Sequence, residues 1–224
     1  MNRPQRRARR VVATLVIVAL LALGADAGAR WFFEREVATA VSSATGLQAD
    51  GSTARVAGWP FLAQLARNDV GAVHWHADEA TITHQGHTLP LRDVQLQLNH
   101  LRYGNGQMTP DTGEGSGTLT WQSASELVGG QFARAGQGRV AVTRVVRVAR
   151  TDVRVVFEFR PVLTGSTIEL TEPRIAVADI ELPVELRRDV LTQFASLQLP
   201  DLGDARFDSL TVTDEGFRLG VSLR

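Results

Sequence analysis

Histidine is the residue type in this chain best suited to metal binding or acid–base catalysis near neutral pH. His74 and His76 are two residues apart, a spacing that places both imidazoles on one face of a β-strand. With Asp78 or Glu79 they would offer the nitrogen and carboxylate ligands of a zinc site. Histidines on strand surfaces are common, however, and the helical His-Glu-x-x-His motif is absent. We therefore predict no metal site, and a hydrolase that uses these histidines is the weakest of three functional hypotheses.

The other residue types that carry catalysis are missing or wrongly spaced. The chain has no cysteine, which excludes a thiolate nucleophile, a disulfide and an acylated lipoprotein cysteine. Ser116 lies between Gly115 and Gly117, which is not the Gly-x-Ser-x-Gly spacing of a nucleophile elbow. Lysine is absent, so a phosphate-binding loop of the lysine type cannot form. We predict no catalytic residue and no cofactor, and hence a protein that is not an enzyme.

The first 29 residues have the composition of an export segment. Five arginines fall within the first ten residues, and the run Val11–Ala25 that follows carries no charge. A basic flank stays in the cytoplasm while an apolar run enters the membrane, so we expect the remaining chain on the extracytoplasmic face of the plasma membrane, in the cell envelope. Signal-peptide cores have about 7–15 apolar residues and membrane helices about 20, so the run fits either. Ala-x-Ala patterns end at Ala27 and Ala29, whereas an uncleaved segment 11–29 would anchor the protein in the membrane.

We therefore divide the chain into residues 1–29, a signal peptide or signal-anchor, and a single domain over residues 30–224. Without the five N-terminal arginines and Asp26, the 24 basic and 24 acidic residues fall to 19 and 23, a net charge near −4. Nucleic-acid binding requires a basic surface, so we predict no nucleic-acid partner. An acidic domain also lacks nonspecific attraction to anionic membranes.

Alternation of apolar residues with a period of two predicts strands over most of the domain. Val94, Leu96 and Leu98 alternate in the opposite phase to Leu89 and Leu91, and this slip predicts a β-bulge that bends the strand. Further strands are predicted over residues 139–148, 152–160 and 166–178, with arginines 144, 147 and 154 on the polar face. A hairpin is predicted at the C-terminus.

Helices are predicted by three local patterns. Residues 31–43 have helical apolar spacing, and the capping-box pattern Ser123-Ala124-Ser125-Glu126 predicts a helix start. Pro183 predicts the first turn of a long amphipathic helix. Five glycines and Pro110 within residues 104–117 predict a loop. Together the elements predict an α+β fold: a curved, mainly antiparallel sheet rolled around the long amphipathic helix, with an N-terminal signal-anchor helix.

A curved sheet around a helix leaves room for an elongated apolar groove between them. Each buried CH₂ contributes roughly 0.8 kcal/mol, so such a groove would retain an acyl chain without polar contacts. The same apolar residues would equally serve a solid core, and the sequence does not separate the two. We predict as lipid-binding residues the apolar side chains that would line this groove: Trp59, Phe61, Leu62, Leu65, Leu96, Leu98, Val190, Phe194 and Leu197.

Four short segments, in this order, carry a resemblance to a known family. They read Gly58-Trp59-Pro60-Phe61-Leu62-x-Gln64-Leu65, Leu91-Arg92-Asp93-Val94, Leu199-Pro200-Asp201-Leu202 and Val212-Thr213-Asp214-Glu215-Gly216-Phe217. Over most of residues 31–224 the chain resembles the LmeA-type phospholipid-binding family of actinobacterial cell envelopes. It departs from the family at Arg67-Asn68-Asp69, where a glycine is usual. The resemblance implies a tubular lipid-binding-like fold, phospholipid as the ligand, phosphatidylinositol-type lipids among the candidates, and a role in envelope lipid or lipoglycan assembly.

The leading functional hypothesis is an extracytoplasmic phospholipid-binding protein, with lipid transfer as one form of that function. It rests on the export segment, the bent amphipathic sheet, the missing catalytic motifs and the resemblance. The alternative is a membrane-anchored structural or assembly module that binds envelope proteins through a sheet edge or an exposed patch.

Overall fold

The computed structural model describes residues 3–45, 47–49, 51–84, 87–104, 107–128, 130–148, 151–177, 196–200, 202 and 204–223. Within these residues the helices are α1 (Arg3–Thr45), α2 (Phe61–Ala66) and α3 (Trp121–Val128). The strands are β1 (Leu47–Gln48), β2 (Thr53–Ala57), β3 (Val70–His84), β4 (His87–Gly104), β5 (Gln107–Thr120), β6 (Gln131–Gly136), β7 (Arg139–Val148), β8 (Thr151–Thr164), β9 (Thr167–Val177), β10 (Ser196–Gln198), β11 (Ala205–Val212) and β12 (Gly216–Leu223).

The strands form two antiparallel sheets. The first has the order β1-β3-β4-β5-β12-β11, and β2 pairs with β3 beside β1. The second has the order β10-β9-β8-β7-β6. Most neighbours in each sheet are consecutive in the chain, as short hairpin connections require. The expectation of a mainly antiparallel, curved sheet is confirmed. The amphipathic helix predicted after Pro183, with Val190 and Phe194, lies outside the described residues as far as residue 195. Its last predicted apolar position, Leu197, is not helical but lies in β10, where it pairs with Ile168 of β9.

The curvature of the first sheet comes from a bulge in β4. Asp93 has a φ of 47°, and the register between β4 and β5 shifts between Arg92 and Gln95. Aspartate tolerates this left-handed conformation better than most residues. Leu91 and Val94, on either side of it, are both buried although they are three residues apart. The predicted bulge is therefore confirmed, and it keeps one apolar face turned inward along both halves of the strand.

The predicted loop over residues 104–117 is wrong for most of its length, because β5 starts at Gln107. Pro110 and the glycines are tolerated in this strand since their neighbours supply the pairing: β5 lies between β4 and β12. Within the predicted loop, β4 ends at Gly104 and the antiparallel strand β5 begins at Gln107. The glycines instead alternate along β5 on the inward face, which is a packing feature and not a sign of a loop.

Helix α3 starts at Trp121, two residues before the predicted capping box. The hydroxyl of Thr120 accepts a hydrogen bond from the backbone N–H of Ser123 at 3.1 Å, so Thr120 is the N-cap. Ser125, placed in the capping box by the sequence pattern, instead accepts a hydrogen bond from the N–H of Phe132 at 2.9 Å. This contact ties α3 to the first residues of β6.

The N-terminal helix is part of the domain along its second half. Phe33, Val37 and Val41 are buried at helical spacing. Phe33 packs against Phe61 of α2 with 5.0 Å between ring centroids. Glu34 accepts a hydrogen bond from the N–H of Val56 at 2.9 Å. Because β2 pairs only with β3 among the described strands, this N–H on its outer edge would otherwise have no strand partner. Helix α1 thereby covers one end of the first sheet.

One buried carboxylate joins α1 to α2. Asp26 is 6% exposed, and its Oδ1 accepts a hydrogen bond from the backbone N–H of Leu62 at 2.7 Å. That N–H is in the first turn of α2, where it has no partner within the helix. Helix α1 continues without a break through residues 29 and 30, the predicted domain boundary. Among the residues that the structure describes, no helix combines the length and the apolarity needed to cross a membrane.

The contact between Asp26 and Leu62 gives a stability prediction. We expect Asp26→Ala to lower the free energy of unfolding by about 1–3 kcal/mol, because it removes a charged acceptor from a buried N–H. Asp26→Asn keeps an acceptor oxygen and should lose less. Urea denaturation of the purified full-length chain in mild detergent measures both. Equal loss in the two variants would show that the acceptor is not what matters.

Candidate functional site

Three glycines form a stripe along the inward face of β5. Gly113, Gly115 and Gly117 are two residues apart, so they share one face of the strand. The neighbouring strand β4 presents Leu98 opposite Gly113 and Leu96 opposite Gly115. On the other side β12 presents Leu223, Val221 and Leu219 opposite the same three glycines. The stripe is thus a low floor between two apolar walls, and we call this surface the glycine trough.

The leucines of β4 lean over the floor of the trough. A Cβ placed on Gly115 would lie 2.5 Å from Cδ2 of Leu96, and one on Gly113 would lie 3.0 Å from Cδ2 of Leu98. On its far side, the Gly113 position is also 3.5 Å from Cβ of Leu223. Glycine therefore serves here for close approach of the leucine side chains and not for its backbone freedom, and a larger residue would require the ends of these leucines to move.

The trough is filled at one end and partly exposed at the other. Leu119, Phe217 and Leu219 are at most 1% exposed. Leu96, Leu98, Val221 and Leu223 are all half-buried, as is Phe207, which faces Val221 from β11. Apolar side chains that remain half-exposed on an inward face offer area for an apolar ligand.

An unpaired donor lies on the same face. Trp75 of β3 is the register partner of Leu96 and is 1% exposed. Its indole N–H makes no hydrogen bond within the described part of the chain. A buried N–H without a partner is costly, so each case calls for an explanation. A ligand carbonyl or phosphate oxygen reaching this face of the sheet would satisfy it.

The reverse face of the same strands is polar. A cleft of about 540 Å³ lies there, with side chains from three adjacent strands. His74 and His76 both contribute, which confirms that they share one face, and Nε2 of His76 lies 3.1 Å from Oδ1 of Asp78. No group of three or more His, Asp or Glu side chains in the described ranges is arranged to hold a metal ion.

A second open cleft, of about 350 Å³, lies beside the second sheet and includes Arg144 and Arg154. Arg144 was expected on the polar face with Arg154. Instead Arg144 is the register partner of Val155, which is fully buried, so it shares the apolar face. The alternation of valines and arginines in β7 is not strict, and the sequence pattern was therefore misread at this position. Neither cleft is a closed tunnel for an acyl chain.

The structure separates the predicted lipid-binding residues into four groups. Leu96 and Leu98 line the glycine trough. Phe61 is 1% exposed and belongs to the core, while Trp59, Leu62 and Leu65 are exposed around α2. Leu197 is half-buried in β10 of the second sheet. Val190 and Phe194 lie outside the described residues. Their contact with lipid stays a prediction in every case.

The glycine stripe was missed by the sequence reasoning, although the signal was present. Glycine at every second position from 113 to 117, flanked by Thr and Glu, has the period of a strand and not of a loop. A loop interpretation gave weight to glycine content and ignored its spacing. The trough could have been inferred from that spacing together with the alternating leucines of residues 94–98.

Comparison with known protein families gives a match over residues 24–222 to the model described as LmeA-like phospholipid-binding. The chain belongs to this family. The match begins inside α1 and ends in β12, so it includes both sheets and the glycine trough. Phospholipid binding is the function that this membership supports. Comparisons with curated proteins and with solved structures gave no match.

The tight fit of the floor gives a prediction for Gly113→Val. The new side chain would be confined between Leu98 and Leu223, and we expect a loss of about 1–3 kcal/mol in the free energy of unfolding from overpacking. Glu114→Val is the matched control, because Glu114 is exposed on the reverse face and surface changes usually stay within about 0.5 kcal/mol. Urea denaturation compares the two variants. A Gly113→Val variant as stable as the control would mean that the floor is not close-packed.

Proposed function

We propose that this protein is a non-catalytic phospholipid-binding protein of the cell envelope, which holds an acyl chain in the glycine trough. The observation that carries the proposal is a half-exposed apolar trough on the inward face of a curved sheet, in a chain of a phospholipid-binding family. Transfer of lipid between membranes, a preference for phosphatidylinositol-type lipids and a role in lipoglycan assembly are the finer parts of the proposal.

The dimensions of the trough suit an acyl chain. At about 3.4 Å per residue, the glycine stripe of β5 from Gly113 to Gly117 extends on the order of 14 Å. One leaflet of the hydrocarbon core of a bilayer is about 15 Å deep, half of about 30 Å. The walls are aliphatic and the floor has no side chains, so contact with methylenes costs no polar desolvation. The indole N–H of Trp75 would offer a donor on this face toward an ester or phosphate oxygen.

The extracytoplasmic location and the membrane attachment through residues 11–29 are likewise proposals. The arginine-rich start and the uncharged run Val11–Ala25 support them. The packing of Asp26 against α2 favours retention of the segment over cleavage, because cutting after Ala27 or Ala29 would remove this buried carboxylate from the domain.

Lipid binding is tested by a pair of adjacent residues on opposite faces of β4. Leu98→Glu places a charge in the trough and should reduce the lipid recovered with the protein at least tenfold, because a carboxylate next to acyl methylenes loses its hydration. Gln97→Glu places the same charge on the exposed reverse face and should leave it unchanged. Native mass spectrometry of both purified variants measures the bound phospholipid. Normal lipid content in a folded Leu98→Glu protein would place the ligand elsewhere.

Retention of the N-terminal segment is tested on protein made in its own host. We expect the intact mass to include residues 1–29, since Asp26 is part of the folded domain. A mass that starts at Gly28 or Arg30 would instead identify cleavage after one of the two Ala-x-Ala patterns.

A further inference from the structure

We infer that α2, with the adjoining part of α1, forms a surface that docks onto a phospholipid bilayer. The surface consists of the exposed apolar side chains of both segments, and we call it the α2 surface: Leu23, Trp31, Phe32, Trp59, Leu62 and Leu65. It is separate from the glycine trough, which lies on β4, β5 and β12.

The exposure of these residues is large for their type. Trp59 is 69% exposed, Phe32 61% and Trp31 57%. Single exposed apolar residues are ordinary, but here several large ones lie near the junction of two packed helices, around α1 and on the outer side of α2. Tryptophan is the residue type enriched where a protein meets the polar boundary of a membrane.

Helix α2 is fixed to the domain by hydrogen bonds and by core packing. The exposure of its apolar side chains is therefore a feature of its packed position. Gln64 is buried; its amide N–H donates to the carbonyl of Ala57 at 3.3 Å, and its oxygen accepts from the N–H of Gly71 at 3.0 Å. Phe61 is buried against Phe33. With Phe61 and Gln64 fixed inward, the spacing of a helix turns Leu62 and Leu65 outward. The helix thus has one face in the core and one apolar face on the surface.

The bond between Asp26 and Leu62 sets the height of α2 along α1. Asp26 comes directly after the uncharged run Val11–Ala25, and at 1.5 Å per residue Trp31 lies about 7.5 Å beyond it. The polar boundary of a bilayer is about 5–7 Å deep on each side. Leu62 is therefore at the level where the apolar run ends, and Trp31 lies about one such depth beyond it.

This inference rests on the membrane attachment proposed above for residues 11–29; given that attachment, the continuity of the α2 surface with an exposed apolar helix selects a bilayer as the occupant. Leu20 and Leu21 of α1, below the level of α2, are more than 60% exposed. A second copy or a partner protein would cover the α2 surface without needing the leucines of the preceding turn. A lipid surface covers both at once, with tryptophans at its boundary. The other occupants are outcomes of the test.

The test uses the full-length chain with phosphatidylcholine vesicles, with and without brominated acyl chains that quench tryptophan on contact. Two of the four tryptophans belong to the α2 surface, so Trp59→Phe should reduce about twofold the quenching that disappears when the vesicles are removed, leaving the part due to Trp31. Quenching of Trp75 by lipid held in the trough would persist after their removal. Trp121→Phe is the control, because Trp121 packs on Phe217 at the other end of the sheet and should leave the quenched emission unchanged. Leu62→Ser with Leu65→Ser keeps all four tryptophans and should also lower the quenching of Trp59.

Three results would overturn the inference. Quenching that is equal in the wild type and in Trp59→Phe would show that α2 does not touch the bilayer. Quenching that stays with the protein after the vesicles are removed would come from lipid held in the trough. A Trp59-dependent change of mass in solution, with no vesicle contact, would identify a second copy as the occupant. Loss of lipid binding by Leu98→Glu with unchanged vesicle quenching would leave this inference intact, so the two proposals fail separately.

Discussion

The bend in β4 is the constraint on which the remaining architecture depends. A straight strand of 18 residues would extend about 60 Å, whereas a domain of about 195 residues has a radius of gyration near 16 Å. A strand this long can keep its apolar side chains inward only if it curves with the core. Asp93 adopts the left-handed conformation that makes the turn, and its carboxylate accepts a hydrogen bond from the side chain of Gln95 at 2.8 Å. The sheet curls there, and β5 and β12 follow it.

The curvature brings the apolar side chains of β4 and β12 toward each other over β5. The size of the side chains on β5 then sets how much of the space between them is filled. Where β5 carries Leu119, the space between β4 and β12 is closed by side chains. Where it carries Gly113 and Gly115, only the leaning Leu96 and Leu98 occupy the floor, and they stay half-buried. The same strand is therefore core at one end and trough at the other. A change in side-chain volume every second residue is enough to produce this difference.

The sequence predicted the parts of this design that depend on local periodicity. The slip between Leu91 and Val94 identified the bulge, and the valine and phenylalanine alternation of residues 139–160 identified β7 and β8. The parts that failed depend on what packs against a segment. Gly-rich β5 is a strand because β4 and β12 pair with both its edges, which no local pattern records. Phe61 and Trp59 are both large aromatic residues of one short segment. Phe61 belongs to the core because it packs against Phe33 of α1, whereas Trp59 remains on the surface.

The charge of the domain favours apolar over electrostatic contact if the domain is to rest on a membrane. With 19 basic and 23 acidic residues beyond the N-terminal arginines and Asp26, the domain gains nothing from the negative potential of anionic lipids. Attachment through α1 alone would leave it free to tilt, because one helix fixes a position but not an orientation. The hydrogen bond from Leu62 to Asp26 couples α2 to that helix, so apolar contact by Leu62 and Leu65 would fix the orientation of the domain relative to the bilayer. The interaction that stabilises the fold at this point would then also set the direction in which the trough faces the bilayer.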